Sequence, residues 1–321
     1  MRRMILSIAE IPENLLEMVK ERTGESITVC EYRANTEKAL QLVQEAEILL
    51  TWAFPVNEGL FDKIDDFKLG WIFALSVGVD HMPFQRLKEH GTVVSTIRGL
   101  SNSNVSEHIL SLMLSFSRRL PLLFENQKKK LWDTSFPMDE LYSRTLCIVG
   151  AGNIGVEVAK KAKAFGMRVI GVDLFPRELP EFDAMYGLEG KHTALAQADY
   201  VVTVVPLTPD TYHLIGAEDF AVMKETAIFL NTSRGDVIDE EALIRALEQK
   251  QIAGAGLDVF HTEPLGPESP LWGMKNVILT PHRAGDSCLM LDRAMELFAK
   301  SLLLYRKGEK LPNQLNLDKG Y

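Results

Sequence analysis

The stretch Ile148-Val149-Gly150-Ala151-Gly152-Asn153-Ile154-Gly155 constrains this chain more than any other. Its GxGxxG spacing alone is a weak signal, but the context is specific. The apolar run TLCIV precedes it, as a strand would. NIGVEVAKKAKAFG follows with the apolar spacing of a helix. A second strand pattern, MRVIGVD, ends on Asp173, 21 residues beyond Gly152. That order predicts a strand–turn–helix cradle for a dinucleotide. Gly150 allows the tight turn, Gly152 lets backbone approach a pyrophosphate, and Gly155 lets helix and strand pack closely. The helix start at Asn153 and Ile154 offers its free N–H groups to the same phosphates. Asp173 is placed to accept from ribose hydroxyls and to repel a 2′-phosphate, which favours NAD. Arg177, close by in sequence, leaves NADP open.

The cradle sits mid-chain, so the first half needs its own account. A chain of 321 residues, 46% of them apolar, predicts two domains with sizeable cores. MILSIA, SITVC, EILLT, LGWIFALSVGVD and GTVVST read as strands, with the helical segments PENLLEMVKER and TEKALQLVQEA among them. After the fingerprint, MRVIGVD, DYVVTVV, AIFLNTS, IAGAGLDVF and NVILT are nearly continuous apolar runs, as parallel strands buried on both faces require. Between the two blocks, one long helical pattern runs from Ser101 to about Lys128, where Pro121 kinks it or starts a new helix. Its apolar positions cover more than one face, which suggests a helix wedged between domains or subunits. A last helix, CLMLDRAMELFAKSLLLYRKG, closes the pattern.

Composition removes several function classes. The formal charge is −9 and Lys128-Lys129-Lys130 is too short to build a broad basic patch, so nucleic acid and anionic membrane are not expected partners. The three cysteines, Cys30, Cys147 and Cys288, are odd in number and far apart, which argues against a disulfide framework and fits a reducing cytoplasm. Cys147, inside a strand, reads as packing. The N-terminal apolar run ends early at Glu10 and Pro12, unlike a secretory signal, and no stretch is long enough to span a bilayer. No metal site is expected, since no His/Cys/Asp cluster has ligand spacing.

Three constellations carry chemistry. NTSRGD holds Arg234, GLDVFHTEPL holds Asp258 and Glu263, and NVILTPHRAGDS holds His282. Each follows the carboxyl end of a predicted strand, where open α/β sheets place their ligands. A base, an acid and a fixed cation there could form one site. The remaining histidines, His81, His90, His108, His192, His213 and His261, read as surface, core or capping residues. Asp236, Asp239, Glu240 and Glu241 read as first-turn acids of the helix EEALIRALEQK.

Together with SVGVD, NVSEH, LWDTSF, GAGNIG and VVPLTPDT, these segments resemble the D-isomer-specific 2-hydroxyacid dehydrogenase family over most of the chain. The resemblance implies an α/β protein of two Rossmann-like domains. A dinucleotide-binding domain, 102–285, would be inserted into a smaller, discontinuous, flavodoxin-like substrate domain made of 1–101 and 286–321. It implies NAD(P)-dependent interconversion of a 2-keto acid and a D-2-hydroxy acid by hydride transfer, in a cytoplasmic homodimer. His282 would be the acid–base, Glu263 would hold its second nitrogen, and Arg234 would bind the substrate carboxylate and polarise its keto oxygen. Backbone N–H groups at Val77 and Gly78 would hold the same carboxylate. Asp258 would contact the nicotinamide amide, and Pro206, Thr232, Ser233 and Gly285 would line the cofactor. Glu263 argues against the formate dehydrogenase branch, where a glutamine stands there. The alternative is a nucleotide-responsive sensor or corepressor-like protein of the same fold. Arg283 departs from the small or apolar residue usual after the histidine: it points away, or it favours a second anionic group on the substrate. Trp52 and Phe54 either line an apolar pocket or pack.

Overall fold

The apolar runs form strands, and burial explains their composition. The computed structural model describes residues 4–57, 59–79 and 82–317. The chain divides into two units, Met1–Ser101 with Ser287–Tyr321, and Asn102–Asp286.

The first unit holds β1 (Ile5–Ser7), β2 (Ile27–Val29), β3 (Ile48–Thr51), β4 (Trp71–Ala74) and β5 (Val93–Thr96), all parallel, in the order β2-β1-β3-β4-β5. This is the flavodoxin-like strand order. Every residue of β3 and β4 is buried, whereas β2, at the edge, is partly exposed. The helix Met290–Lys307 returns to this unit from the far end of the sequence. Its Phe298 stacks on Trp71, with ring centroids 5.2 Å apart, and meets Phe73 edge-on. Gly308 ends it at φ 71°, the left-handed cap that glycine accepts without strain.

The second unit holds β6 (Thr145–Val149), β7 (Arg168–Val172), β8 (Ala184–Tyr186), β9 (Tyr200–Thr203), β10 (Ile228–Asn231), β11 (Gly254–Leu257) and β12 (Val277–Leu279). All are parallel, in the order β12-β11-β10-β9-β6-β7-β8. β6 lies between β7 and β9, so the winding reverses there. In such sheets the crevice beyond the strands' carboxyl ends, at the reversal, is where ligands bind. The fold class is the one the sequence implied.

One strand was not expected, and one choice that the sequence left open is resolved. β8 has only a three-residue apolar run, Ala184-Met185-Tyr186, and is an edge strand with all residues half-buried. The long helical pattern is two helices, Asn102–Ser117 and Leu120–Lys128, separated where Arg119 takes φ 53°. Pro121 stands in the first turn of the second helix, where its missing N–H costs nothing. The first helix is apolar on several faces because Val105, Ile109, Leu112 and Met113 pack into the core of its own unit, beside Ile148, Val158 and Leu230.

Candidate active site

The glycine-rich turn is built as the fingerprint requires. β6 ends at Val149, Gly150 takes φ 106°, and the helix Asn153–Ala164 begins after Gly152. A Cβ at Gly150 would lie 2.8 Å from Val205 and 2.9 Å from the Val204 carbonyl oxygen. A Cβ at Gly155 would lie 2.0 Å from the Gly150 carbonyl oxygen. These two glycines are required by the protein's own packing. Gly152 is different: a Cβ there meets nothing within 4 Å. The open space over Gly152 fits a group that is not part of the chain. Asp173, just past β7, stitches the turn: Oδ2 accepts from Ala151 N at 2.8 Å and Oδ1 from Phe175 N at 3.0 Å. Arg177 donates to the Ala151 carbonyl oxygen at 3.2 Å, so the aspartate and the arginine bind the backbone of one residue, Ala151.

Arg234, Glu263 and His282 follow the neighbouring strands β10, β11 and β12. His282 Nδ1 lies 2.7 Å from Glu263 Oε2, and Glu263 Oε1 accepts from Phe260 N at 3.0 Å. With Nδ1 engaged by a carboxylate, Nε2 is the nitrogen left to exchange a proton with a reactant. The hydrogen bond from Glu263 holds the His282 imidazole above its usual pKa, with burial and the Arg234 charge opposing it. Burial opposes ionisation of Glu263, but the bond to His282 and that ring's charge outweigh it and hold the carboxyl below its usual range. Arg234 Nη1 donates to the Ser233 carbonyl oxygen at 2.7 Å.

Two buried residues shape these loops. Asn231, the last residue of β10 and fully buried, accepts at Oδ1 from Thr203 Oγ1, Ser233 N and Ser233 Oγ, and donates to the Arg234 carbonyl oxygen at 2.9 Å. The Ser233 hydroxyl is therefore spent within the chain. The Thr232 hydroxyl, in contrast, is buried with no hydrogen-bond partner among the described residues. Such an atom costs about 1–3 kcal/mol unless something satisfies it. That requirement also fits a bound cofactor.

Asp258 is the second shaper, and its carboxylate is 1% exposed. Oδ1 accepts from Thr280 Oγ1 at 2.5 Å and Arg283 N at 2.9 Å, and Oδ2 accepts from Ala284 N at 2.8 Å. Its carbonyl oxygen accepts from His282 N at 2.8 Å. These bonds hold His282 at φ 52°, a left-handed conformation that costs a residue with a Cβ about 1–2 kcal/mol. The resemblance had Asp258 touching the nicotinamide amide; its carboxylate also anchors the histidine turn, with Oδ2 accepting a single hydrogen bond there, from Ala284 N.

The Arg234 and Glu263 loops are clasped back to back, which sequence reading missed. Asp236 bonds His261 Nδ1, and Glu240 Oε2 accepts from His261 N at 3.0 Å. Asp239 caps the helix Glu240–Glu248 by accepting from Ala242 N at 2.9 Å. A Cβ at Gly235 would lie 2.0 Å from the Phe260 carbonyl carbon and oxygen. Gly235→Ala should therefore cost about 1–3 kcal/mol by overpacking. A unit of this size would lose about 2–4 °C of melting temperature per kcal/mol. An unshifted thermal transition would mean that the two loops separate freely.

The other candidates are placed as follows. Pro206 follows β9 and accepts from Thr211 Oγ1 at 2.6 Å. Gly285 accepts a hydrogen bond from Asn104. Val77 and Gly78 stand on the turn after β4 in the first unit, where Ser76 Oγ donates to the Gly78 carbonyl oxygen at 3.0 Å. Trp52 and Phe54 are half-buried against core clusters of that unit, and Arg33 lies over the Phe54 ring at 4.2 Å. Arg283 pairs with Asp286, three residues on, and its side chain is 68% exposed. Asp80, at the end of SVGVD, and His81 lie outside the described residues. Cys147 is fully buried, which pushes its thiol up to about 12. Among the described residues no His/Cys/Asp/Glu group could hold a metal ion, and no helix is long and apolar enough to cross a membrane.

A parallel sheet reversing beside a glycine-rich turn, with a histidine–carboxylate pair and an arginine on its outer loops, defines the class: a dinucleotide-binding α/β protein with acid–base equipment. A sequence profile of the D-isomer specific 2-hydroxyacid dehydrogenase NAD binding domain matches residues 110–284. The chain is 34% identical over 324 residues to the glyoxylate reductase of Korarchaeum cryptofilum, covering 98% of this chain and 96% of that protein. It is 38% identical to the mouse glyoxylate reductase/hydroxypyruvate reductase over 77% of this chain and 76% of that protein. A crystal structure of a D-isomer specific 2-hydroxyacid dehydrogenase family protein from Aeromonas salmonicida superposes with a TM-score of 0.88, at 34% identity, covering 99% of this chain and all of that one. The chain belongs to the D-isomer specific 2-hydroxyacid dehydrogenase family.

Proposed function

We propose that this protein is an NAD(P)-dependent reductase of a small 2-keto acid, forming the D-2-hydroxy acid, with glyoxylate and hydroxypyruvate as the first candidates. The observation that carries the reading is the His282 Nδ1–Glu263 Oε2 bond of 2.7 Å beside Arg234, beyond the carboxyl ends of β10 to β12. The relatives named glyoxylate and hydroxypyruvate reductases support the substrate class, and their names disfavour the sensor reading.

When bound, the reduced nicotinamide would supply a hydride, a hydrogen with its electron pair, for the keto carbon. The chain's residues do the rest. Protonated His282 gives a proton from Nε2 to the keto oxygen, and Glu263 stabilises the imidazolium before transfer. Arg234 pairs its planar fork with the substrate carboxylate and polarises the keto oxygen. The N–H groups of Val77 and Gly78 are assigned to the same carboxylate. Gly150, Gly152, Gly155 and the helix start at Asn153 and Ile154 receive the pyrophosphate. Asp173 receives the ribose, while Thr232, Pro206 and Gly285 line the cofactor. Ser233 lines it with them, and Asp258 both holds the histidine turn and contacts the nicotinamide amide. Residues 1–101 with 286–321 form the substrate domain, and 102–285 the nucleotide domain. A cytoplasmic homodimer completes the proposal; exposed Phe124, Leu131 and Trp132, the last 95% exposed, support self-association.

The direct test is loss of reduced-nicotinamide absorbance with glyoxylate, hydroxypyruvate, pyruvate, phenylpyruvate, oxaloacetate and 2-ketoglutarate, each with NADH and NADPH. Turnover of one group identifies the side-chain pocket. Tight NADH binding with no turnover of any would sink the reductase reading.

The pH dependence follows from the pair. Reduction needs His282 protonated, so kcat/KM is full below the ring's raised pKa and falls as pH rises through it. Glu263→Gln removes the largest raising influence, so the fall should move to lower pH. Superimposable profiles would separate Glu263 from the proton. Asp173→Ala should weaken NADH more than NADPH, because a carboxylate that accepts from a ribose hydroxyl also repels a 2′-phosphate. Equal losses, by calorimetry, would leave Asp173 only its stitch to Ala151.

A further inference from the structure

His108 is read from sequence as structural, and no mechanism above uses it. It lies on the helix Asn102–Ser117, more than 170 residues before the catalytic turn, with its side chain 19% exposed. Its Nε2 is 3.0 Å from Thr280 Oγ1 and 3.7 Å from Asp258 Oδ1. We infer that His108 is a positioning residue for His282, acting through Thr280 and Asp258.

Hydrogen-bond bookkeeping orders the chain of contacts. A threonine hydroxyl has one proton, and Thr280 gives it to Asp258 Oδ1 at 2.5 Å. Its 3.0 Å contact with His108 can then only be accepted, so His108 carries a proton on Nε2. Donation into the hydroxyl strengthens the hydroxyl's own donation onward. The carboxylate so held accepts Arg283 N and Ala284 N, and the Asp258 carbonyl oxygen accepts His282 N. The Thr280 carbonyl oxygen accepts His282 N as well, at 3.1 Å. His282 therefore sits at φ 52° on a turn whose anchors converge on Thr280 and Asp258, and His108 braces that pair from another element. A catalytic group displaced by about 1 Å can lose on the order of 10²-fold in rate, so a brace of this kind has a kinetic signature.

The kinetic arm rests on the reductase reading; the spectroscopic arm does not. The test uses the full chain with ¹⁵N-labelled histidine, comparing wild type, His108→Leu, His108→Gln and Thr280→Val. The His282 ring signals are assigned by their loss in His282→Ala. In the free protein, His108 should show the Nε2–H tautomer. His108→Leu and Thr280→Val should move the His282 ring signals alike, and His108→Gln, which keeps a donor at the Nε2 position, should restore them. With keto acid, His108→Leu and Thr280→Val should each lower kcat by about 10- to 100-fold with KM nearly unchanged. The double variant should lose no more than either single, because both cut one link. An Nδ1–H tautomer, unmoved His282 signals, or no rescue by glutamine would overturn the inference. If His108→Leu does not fold, Thr280→Val carries the same expectation. Absence of wild-type turnover would instead sink the reductase reading and leave the spectra to decide this one.

Discussion

His282→Ala is expected to lower kcat for 2-keto acid reduction by about 10²–10⁴-fold, the usual weight of one positioned general acid. Nδ1 of this ring is committed to Glu263 at 2.7 Å, so Nε2 is the remaining proton donor. Water in the gap would be a weaker acid, not held by the turn. NADH affinity should stay close to wild type by fluorescence titration, because the glycine turn and Asp173 are on other loops. The backbone at φ 52° suits alanine no better than histidine, so a melting curve belongs beside the kinetics. A folded variant within a few-fold of wild-type kcat would remove His282 from the mechanism.

Arg234→Ala should lower kcat/KM by about 10²–10³-fold, the loss measured when a fixed donor to a developing oxyanion is deleted. The side chain is anchored by its own bond to the Ser233 carbonyl oxygen, and its backbone by Asn231. The fork is thus held before substrate arrives. Arg234→Lys should recover only part of the loss, since a lysine keeps the charge but not the paired planar donors. KM should rise in both variants. Removing the arginine also deletes a charge that opposes protonation of His282, so the reductive pH limit should move upward in Arg234→Ala. Full recovery by lysine would mean that charge alone, not geometry, is used.

Much of the fold was legible because its signals are local. The strand runs of both sheets except β8 announce themselves as continuous apolar segments, since parallel strands are buried on both faces. β8 escaped because its apolar run, Ala184–Tyr186, is only three residues long, without the flanking β-branched residues that mark the other edge strand, β12. The break between the helices Asn102–Ser117 and Leu120–Lys128 was visible at Pro121 as a choice between kink and restart. Arg119 in the left-handed region settles it as a restart.

At the candidate site, the sequence by itself determined the residue types and their addresses: the glycines of the cradle, Asp173, Arg234, Glu263 and His282, each just past a strand. It could do so because local geometry dictates them: a turn needs its glycines, and strand ends are where loops of this fold meet ligands. Only the tertiary structure decided how those residues are held. Gly235, His261 and the His108–Thr280–Asp258 set are each joined to the site by contacts between segments far apart in sequence. Gly235 is a glycine because Phe260 backbone occupies the place of its Cβ. Asp258 is buried because three donors from the histidine turn converge on it. No spacing along the chain encodes such convergence; it exists only once β10, β11 and β12 lie side by side.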